Sequence, residues 1–232
     1  MEDFYSPISE EHKEANFSTV LQKVFYMMTA GLAVTGITSL LTIYTPQIRL
    51  FVANCWQILA FAELILVIIL SLNLKNMGTA TCRITFYLYA ILNGLTLSPI
   101  FLVYAGTSIA STFFITAAMF GGAALYGHKT NKDLTKFGSF FFMALLGIII
   151  AGIVNLFIMN STLDFVISVI GILLFIGITA YDIQKIKELY TLVDDNDEER
   201  MTQVVTIGAL NLYLDFINIF LKILSLTGRR RK

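Results

Sequence analysis

The chain has 232 residues, of which 56% are hydrophobic and only 14% are charged. A soluble domain carries roughly 25% charged residues, so this composition predicts an integral membrane protein of about one domain. The 16 Lys and Arg residues balance the 16 Asp and Glu residues. This neutral balance excludes a basic field for nucleic acid, and we predict no nucleic-acid partner.

The first 21 residues are polar and rich in acids. They lack the basic start and the apolar core of a cleaved signal peptide, so membrane insertion must be driven by the mature helices. We predict a polar N-terminal segment at 1–21, one transmembrane domain at 22–226 and a basic C-terminal tail at 227–232.

Seven apolar segments follow, each close to the length of about 20 residues that a helix needs to cross a bilayer. They lie at 22–44, 51–72, 84–104, 109–127, 138–159, 163–182 and 204–226. The predicted fold is therefore an all-α membrane protein with seven transmembrane helices. The longest connection between them, 183–203, holds most of the charge between segments.

The third segment carries polar residues and a proline near mid-membrane, namely Asn93, Thr96, Ser98 and Pro99. Pro99 lacks a backbone N–H group, so it predicts a kink at which neighbouring groups must satisfy the freed carbonyl. A structural kink and a cavity-lining role are both consistent with this pattern.

The distribution of Lys and Arg predicts the orientation. With the N-terminus in the cytoplasm, most of the basic residues in the loops fall on the cytoplasmic side. Outside lie Arg49 and, if the last segment spans the membrane, Lys222 and the tail with Arg229, Arg230, Arg231 and Lys232. If the last segment were a re-entrant hairpin, this tail would also be cytoplasmic, and the sequence leaves that alternative open.

The last segment contains a stripe of small and polar residues in an otherwise apolar helix: Gly208, Asn211, Asp215, Asn218 and Lys222. Their steps of three and four residues place them on one helix face. An acid at the bilayer centre costs ~2.5–3.5 kcal/mol, so this polar stripe must face protein. We expect the other helices to pack around the last one and to shield Asp215.

Two further acids lie in or near the apolar segments, Glu63 in the second and Asp182 at the end of the sixth. Acids within membrane helices mark ion and proton pathways, and two adjacent carboxyl groups share a proton. Their oxygens also suit Ca²⁺, so Asp182 and Asp215 are the candidate calcium ligands. The alternative is that each acid is protonated and bonded to Asn211, Asn218 or Tyr181. On the predicted boundaries the two aspartates lie at different depths, and they meet only if the last helix starts late or the sixth lies deeper.

Other metal sites are not predicted. His12 and His128 stand alone, and Cys55 and Cys82 flank one segment without a partner at metal-binding spacing. The acidic run at 194–200 fails the EF-hand pattern, because its sixth position is Arg200 and its twelfth is Thr206. We expect no cofactor other than transient Ca²⁺.

Four motifs resemble the Bax inhibitor-1/YccA (transmembrane Bax-inhibitor-motif) family, and in particular its bacterial inner-membrane members. They are TAYDIQKIK at 179–187, ALNLYLDFINIFL at 209–221, FGGAALYGHKTNKDLTKFG at 120–138 and GLTLSPI at 94–100. The resemblance implies six helices in two layers around a central seventh. It further implies a bacterial inner-membrane location with a cytoplasmic N-terminus.

The resemblance also implies that Asp182 and Asp215 form a pH sensor on a calcium leak pathway, with Glu63 as a polar relay. In similar proteins an arginine at the end of the second helix latches the pair shut. Here the matching position is Leu74, next to Lys75, and lysine lacks the bidentate fork of arginine. Lys75 and Arg83 are the two candidate latches.

Two other functions compete with the leak. An intramembrane aspartyl protease shares the Tyr181–Asp182 pair, but Asp215 lacks the preceding glycine that the second catalytic motif requires, so we predict no enzyme. A non-conducting interaction protein would contact a membrane-anchored AAA-type protease or modulate a cell-death response. The predicted partners are therefore the lipid bilayer, calcium ions and, for the interaction protein, that protease.

Overall fold

A computed structural model describes residues 7–73, 77–194 and 197–231, and the side chains of 16–70, 77–194 and 197–231. The helices are α1 (Pro7–Tyr44), α2 (Pro46–Asn73), α3 (Thr79–Leu97), α4 (Ile100–Val103), α5 (Gly106–Lys129), α6 (Gly138–Ile158), α7 (Ser161–Thr191) and α8 (Glu198–Thr227). A 3-10 turn, Thr135–Phe137, precedes α6. Within these residues the chain forms no β-strand, which confirms the all-α prediction.

Seven stretches of the described chain are long and apolar enough to cross a membrane, with α3 and α4 forming one of them. Most of the helices are longer than predicted; α1, for instance, begins at Pro7 instead of residue 22. The extensions of α7 and α8 bear on the site. The sixth segment was expected to end at residue 182, but α7 continues to Thr191, and α8 begins at Glu198 instead of residue 204. Both extensions contain charged residues. A hydropathy window therefore assigns them to the connection, although α7 and α8 remain helical there.

The last helix, α8, is the central one. In its most apolar window 61% of the residues are buried, against 11% in α2 and none in α6. It packs against α1, α3, α5 and α7, while α2 packs on α1 and α3, and α6 packs on α7. The prediction of two layers around a central last helix is confirmed.

The third span is kinked at Pro99, as predicted. Helix α3 ends at Leu97 and the chain resumes as α4. Ser98 donates two hydrogen bonds to the carbonyl of Leu95, one from its N–H at 3.3 Å and one from its hydroxyl at 2.8 Å. Ser98 thus replaces the donor that Pro99 lacks. Both residues also line a cavity of about 500 Å³ against the first turns of α2.

Helices α5 and α7 approach closely at Gly127. A Cβ atom on Gly127 would stand 2.4 Å from the carbonyl oxygen of Ala180, so no larger residue fits there without a shift. At Gly121 and Gly147 an added Cβ atom would meet no other atom within 4 Å, so only some of the small residues of this chain lie at a helix contact.

Each face of the bundle gathers alternate connections. We call the face that carries the start of α1 and the α2–α3, α5–α6 and α7–α8 connections the N side, and the opposite face the tail side. Helix α8 is continuous over 30 residues, so the re-entrant hairpin is wrong. Its tail pairs with the α4–α5 connection, through bonds of 2.9 Å from Ala105 N–H to Arg229 O and 2.8 Å from Arg231 N–H to Val103 O.

Candidate functional site

The polar stripe of α8 lines a cavity of about 790 Å³ between α6, α7 and α8. Four members of the stripe border it: Asn211, Asp215, Asn218 and Lys222. The fifth, Gly208, packs against Ile186, where a Cβ atom would stand 2.9 Å from the isoleucine Cδ1 atom. The stripe therefore faces a space within the bundle, as its periodicity predicted.

The far wall of this cavity is the apolar helix α6. Leu145, Ile149 and Ile153 are among the residues that it contributes. None of the α6 side chains is buried, because the helix packs mainly on α7 and leaves a space in front of α8. The cavity thus has one largely apolar wall, α6, and two walls, α7 and α8, that carry ionisable side chains.

The structure brings the two predicted aspartates together in this cavity. Asp182 is 7% exposed and Asp215 is 3% exposed. Asp215 interacts electrostatically with Asp182 and forms a hydrogen bond with the side chain of Thr179. Two acids from different helices therefore share one desolvated site.

The depth problem is resolved by the register of α7 against α8. Thr179 contacts Asp215 and Ile186 contacts Gly208, so α7 and α8 run antiparallel with these residues level. Gln184 marks the N-side edge, because it binds the α5–α6 connection at Leu134 N–H and Lys132 O. Both α7 and α8 continue past this edge and stay packed there, since Tyr190 and Val204 are buried. Asp215 then lies about 4.5 Å deeper than Asp182, or three residues of helical rise.

Thr179 lies at the pair. Its hydroxyl donates a hydrogen bond to the carbonyl of Phe175 at 2.7 Å, and its side chain is also hydrogen-bonded to the carboxyl group of Asp215. Because a hydroxyl can both donate and accept, Thr179 can bind Asp215 in either protonation state.

The other oxygen of Asp215, Oδ2, is buried without a hydrogen-bond partner in the described part of the chain. An unpaired carboxylate oxygen in this position would be costly, whereas a protonated carboxyl group or a bound cation removes the cost. No group of three or more His, Cys, Asp or Glu residues close enough to hold a metal ion occurs among the described residues. The two aspartates therefore suit a transient cation better than a tightly held one, since Ca²⁺ takes six to eight oxygen ligands.

The tail-side part of the cavity holds a second pair of charges, Lys222 and Asp164. Asp164 lies in the first turn of α7. It was not predicted as a site residue, although its position near the start of the sixth segment identifies it as an end-of-helix acid. Thr179 was missed as well, although its spacing of three from Asp182 places both on one face.

Glu63 lies in a different network, on the other side of α8. Its carboxylate accepts hydrogen bonds from the Asn93 amide and from the Thr96 hydroxyl, the latter at 2.7 Å. Tyr213 connects this group to the core, since its hydroxyl donates to Asn93 Oδ1 at 2.9 Å and meets Thr35 Oγ1 at 2.7 Å. Glu63 does not line the aspartate cavity, and its role as a relay stays a prediction.

Of the two candidate latches, Arg83 lies away from the aspartate cavity. Arg83 borders a cavity of about 920 Å³ together with Glu198, between the N-side ends of α1, α3 and α8. It is not among the residues that line the aspartate cavity. Lys75 lies outside the described residues. The latch therefore stays a prediction.

Comparison with known proteins identifies the family. The sequence profile described as "Inhibitor of apoptosis-promoting Bax1" matches residues 17–232. The chain is 41% identical to the inner membrane protein YbhL of Escherichia coli strain K12 over 220 residues, or 94% of each chain. It is 39% identical to the uncharacterized protein RP147 of Rickettsia prowazekii over 237 residues, or 100% of each chain. A protein of Borreliella burgdorferi is 40% identical over 214 residues, which cover 91% of this chain and 92% of that protein. The chain thus belongs to the Bax inhibitor family of membrane proteins.

Proposed function

We propose that the protein is a pH-gated calcium leak, with Asp182 and Asp215 as the proton-sharing gate. The observation that carries the proposal is the buried pair itself, in a cavity bordered by the polar stripe of α8. Acids in such a setting serve ion or proton movement by default. In a bacterial cell the protein would lie in the inner membrane, as the name of YbhL states for that protein, with its N-terminus in the cytoplasm.

The closed state of the proposed gate is the one with a proton shared by Asp182 and Asp215. When that proton leaves, two carboxylates face each other in a site of low dielectric constant, and their repulsion must be relieved. A divalent cation relieves it directly, because carboxylate oxygens are its preferred ligands. The amide groups of Asn211 and Asn218 extend the polar wall along which a cation would travel.

Calcium entry into proteoliposomes tests this function. The purified protein is reconstituted with a calcium indicator inside the vesicles, and entry is followed from mildly acidic to mildly alkaline pH. We expect entry by the wild-type protein to rise with pH, because deprotonation opens the gate. Asp215→Asn keeps the shape of the protonated acid but cannot ionise, so we expect entry to be low at every pH.

Asp133→Asn is the matched control, since it removes one acid from the exposed α5–α6 connection, away from the cavity. It should leave the pH profile unchanged. Calcium entry that persists in Asp215→Asn with the wild-type pH profile would exclude the pair from the mechanism.

A further inference from the structure

The aspartate cavity is lined by one positively charged side chain. Of the described residues that line it, Lys222 is the only basic one. It lies seven residues after Asp215 on α8, which is about two helical turns and about 10 Å along the axis toward the tail side. A cation that moves between the aspartate pair and the tail side must therefore pass the Lys222 ammonium group.

The side chain of Lys222 is held in place by α7. Its Cγ, Cδ and Cε atoms stand 3.5, 3.5 and 3.4 Å from the position that a Cβ atom on Gly171 would take. The absence of a side chain at Gly171 thus lets the methylene stem lie flat on the backbone of α7.

The ammonium group is not neutralised by a close ion pair within the described chain. Asp164 borders the same cavity, seven residues before Gly171 on α7 and therefore on the tail side of it. The tail-side half of the cavity therefore presents one positive and one negative fixed charge, and the half that holds the pair presents only acids.

We propose that Lys222 is a selectivity-determining residue of the cavity, whose fixed positive charge restrains the passage of divalent cations, and that Asp164 partly offsets it. This inference rests on the proposed function, because it names the control of the same cation path. The physical basis of the inference is the local electrostatic potential, which changes the concentration of an ion by a factor that depends exponentially on the charge of the ion. If the charge of Lys222 lowers the flux of a monovalent cation by some factor, it lowers that of a divalent cation by the square of the factor.

Lys222→Met tests this relation, because methionine keeps an unbranched stem over Gly171 and removes the charge. A potential of about one kT per unit charge, low for a charged cleft, predicts about threefold more Na⁺ flux and about sevenfold more Ca²⁺ flux than in the wild type. Lys222→Arg keeps the charge and should behave as the wild type. Asp164→Asn removes the opposite charge and should lower both fluxes, the divalent one more.

Equal changes of Na⁺ and Ca²⁺ flux in Lys222→Met would overturn the inference, because they would indicate a change of pore size. So would a Lys222→Arg variant that matches Lys222→Met, or an absence of any change while the wild type conducts.

A measurement without conduction separates this inference from the proposed function. We would follow the thermal unfolding of the detergent-purified protein against Ca²⁺ concentration. Lys222→Met should reach half of its maximal stabilisation at a several-fold lower Ca²⁺ concentration than the wild type or Lys222→Arg. That result with no leak in vesicles would support the role of Lys222 and refute the leak, whereas identical Ca²⁺ curves for all three proteins would refute the role of Lys222.

Discussion

Gly127→Ala should destabilise the bundle by forcing α5 and α7 apart. The added Cβ atom would stand 2.4 Å from the Ala180 carbonyl oxygen and 2.8 Å from its Cα atom. Both are backbone atoms, which cannot rotate away as the end of a side chain can. Because ordinary contact begins near 3.4 Å, one helix must move by 3.4 − 2.4, or about 1 Å.

The magnitude follows from two opposing effects. Overpacking of a filled contact costs about 1–3 kcal/mol. Alanine also gains up to about 1 kcal/mol over glycine in a helix interior. Gly121→Ala, in the same helix, gains the helix propensity of alanine without the overpacking cost, since no other atom lies within 4 Å of its added Cβ atom. The difference between the two variants therefore isolates the cost of the contact.

The assay is thermal unfolding of both variants in the same detergent. For a chain of this length about 1 kcal/mol shifts Tm by about 2–4 °C, so a contact cost of about 2 kcal/mol separates the two variants by about 4–8 °C. Gly121→Ala should unfold at or above the wild-type temperature. Equal Tm values for the two variants would refute the reasoning, because the close approach at Ala180 would then cost nothing.

Two other outcomes follow from the hydrogen-bond pattern. Tyr213→Phe removes a buried hydroxyl that joins α1 to α3, and we expect a loss of about 1–3 kcal/mol in thermal or denaturant unfolding; an unchanged stability would contradict the bonds described. In the α5–α6 connection, the pKa of the Asp133 carboxyl lies below its usual range, and the largest cause is the hydrogen bond from the Thr135 hydroxyl. Lys136 lowers this pKa further, whereas slight desolvation raises it. A lowered pKa stabilises the turn above the usual value of about 3.9, and that contribution is lost as pH falls through the lowered value. Carboxyl NMR titration should show the midpoint of Asp133 rise in Thr135→Val, and an unchanged midpoint would exclude this cause.

Hydropathy predicts the membrane spans, and periodicity predicts which face of α8 points into the bundle, because each of these features depends on local sequence. A window of about 20 apolar residues identifies each span, whatever it packs against. The steps of three and four along α8 put its polar residues on one face, and the cost of an acid in lipid fixes that face inward. The kink at Pro99 is local as well, since it follows from the missing N–H group.

Contacts between helices that are distant in sequence could not be predicted in this way. Whether Asp182 meets Asp215 depends on the register of α7 against α8. Both helices extend past the N-side edge through charged turns, which hydropathy does not identify as helix. Helix α2 is apolar nearly all round, so its periodicity does not show that Glu63 points toward Asn93 and away from the aspartate cavity. The space in front of α8 exists because α6 packs mainly on α7, which no pattern within α6 specifies.

The two sides of α8 differ in how firmly they are held, and this difference bears on how the cavity could change shape. Tyr213 and Asp215 are two residues apart, so they point to nearly opposite sides of the helix. On the first side the Tyr213 ring is fully buried and its hydroxyl is bonded to both α1 and α3. On the second side the Asp215 carboxyl group has one unpaired oxygen and faces the cavity. Movement of α8 would break buried bonds, whereas movement of α6, which has no buried side chain, would break few. Helix α6 is therefore the wall whose displacement would widen the cavity at the smallest cost in free energy.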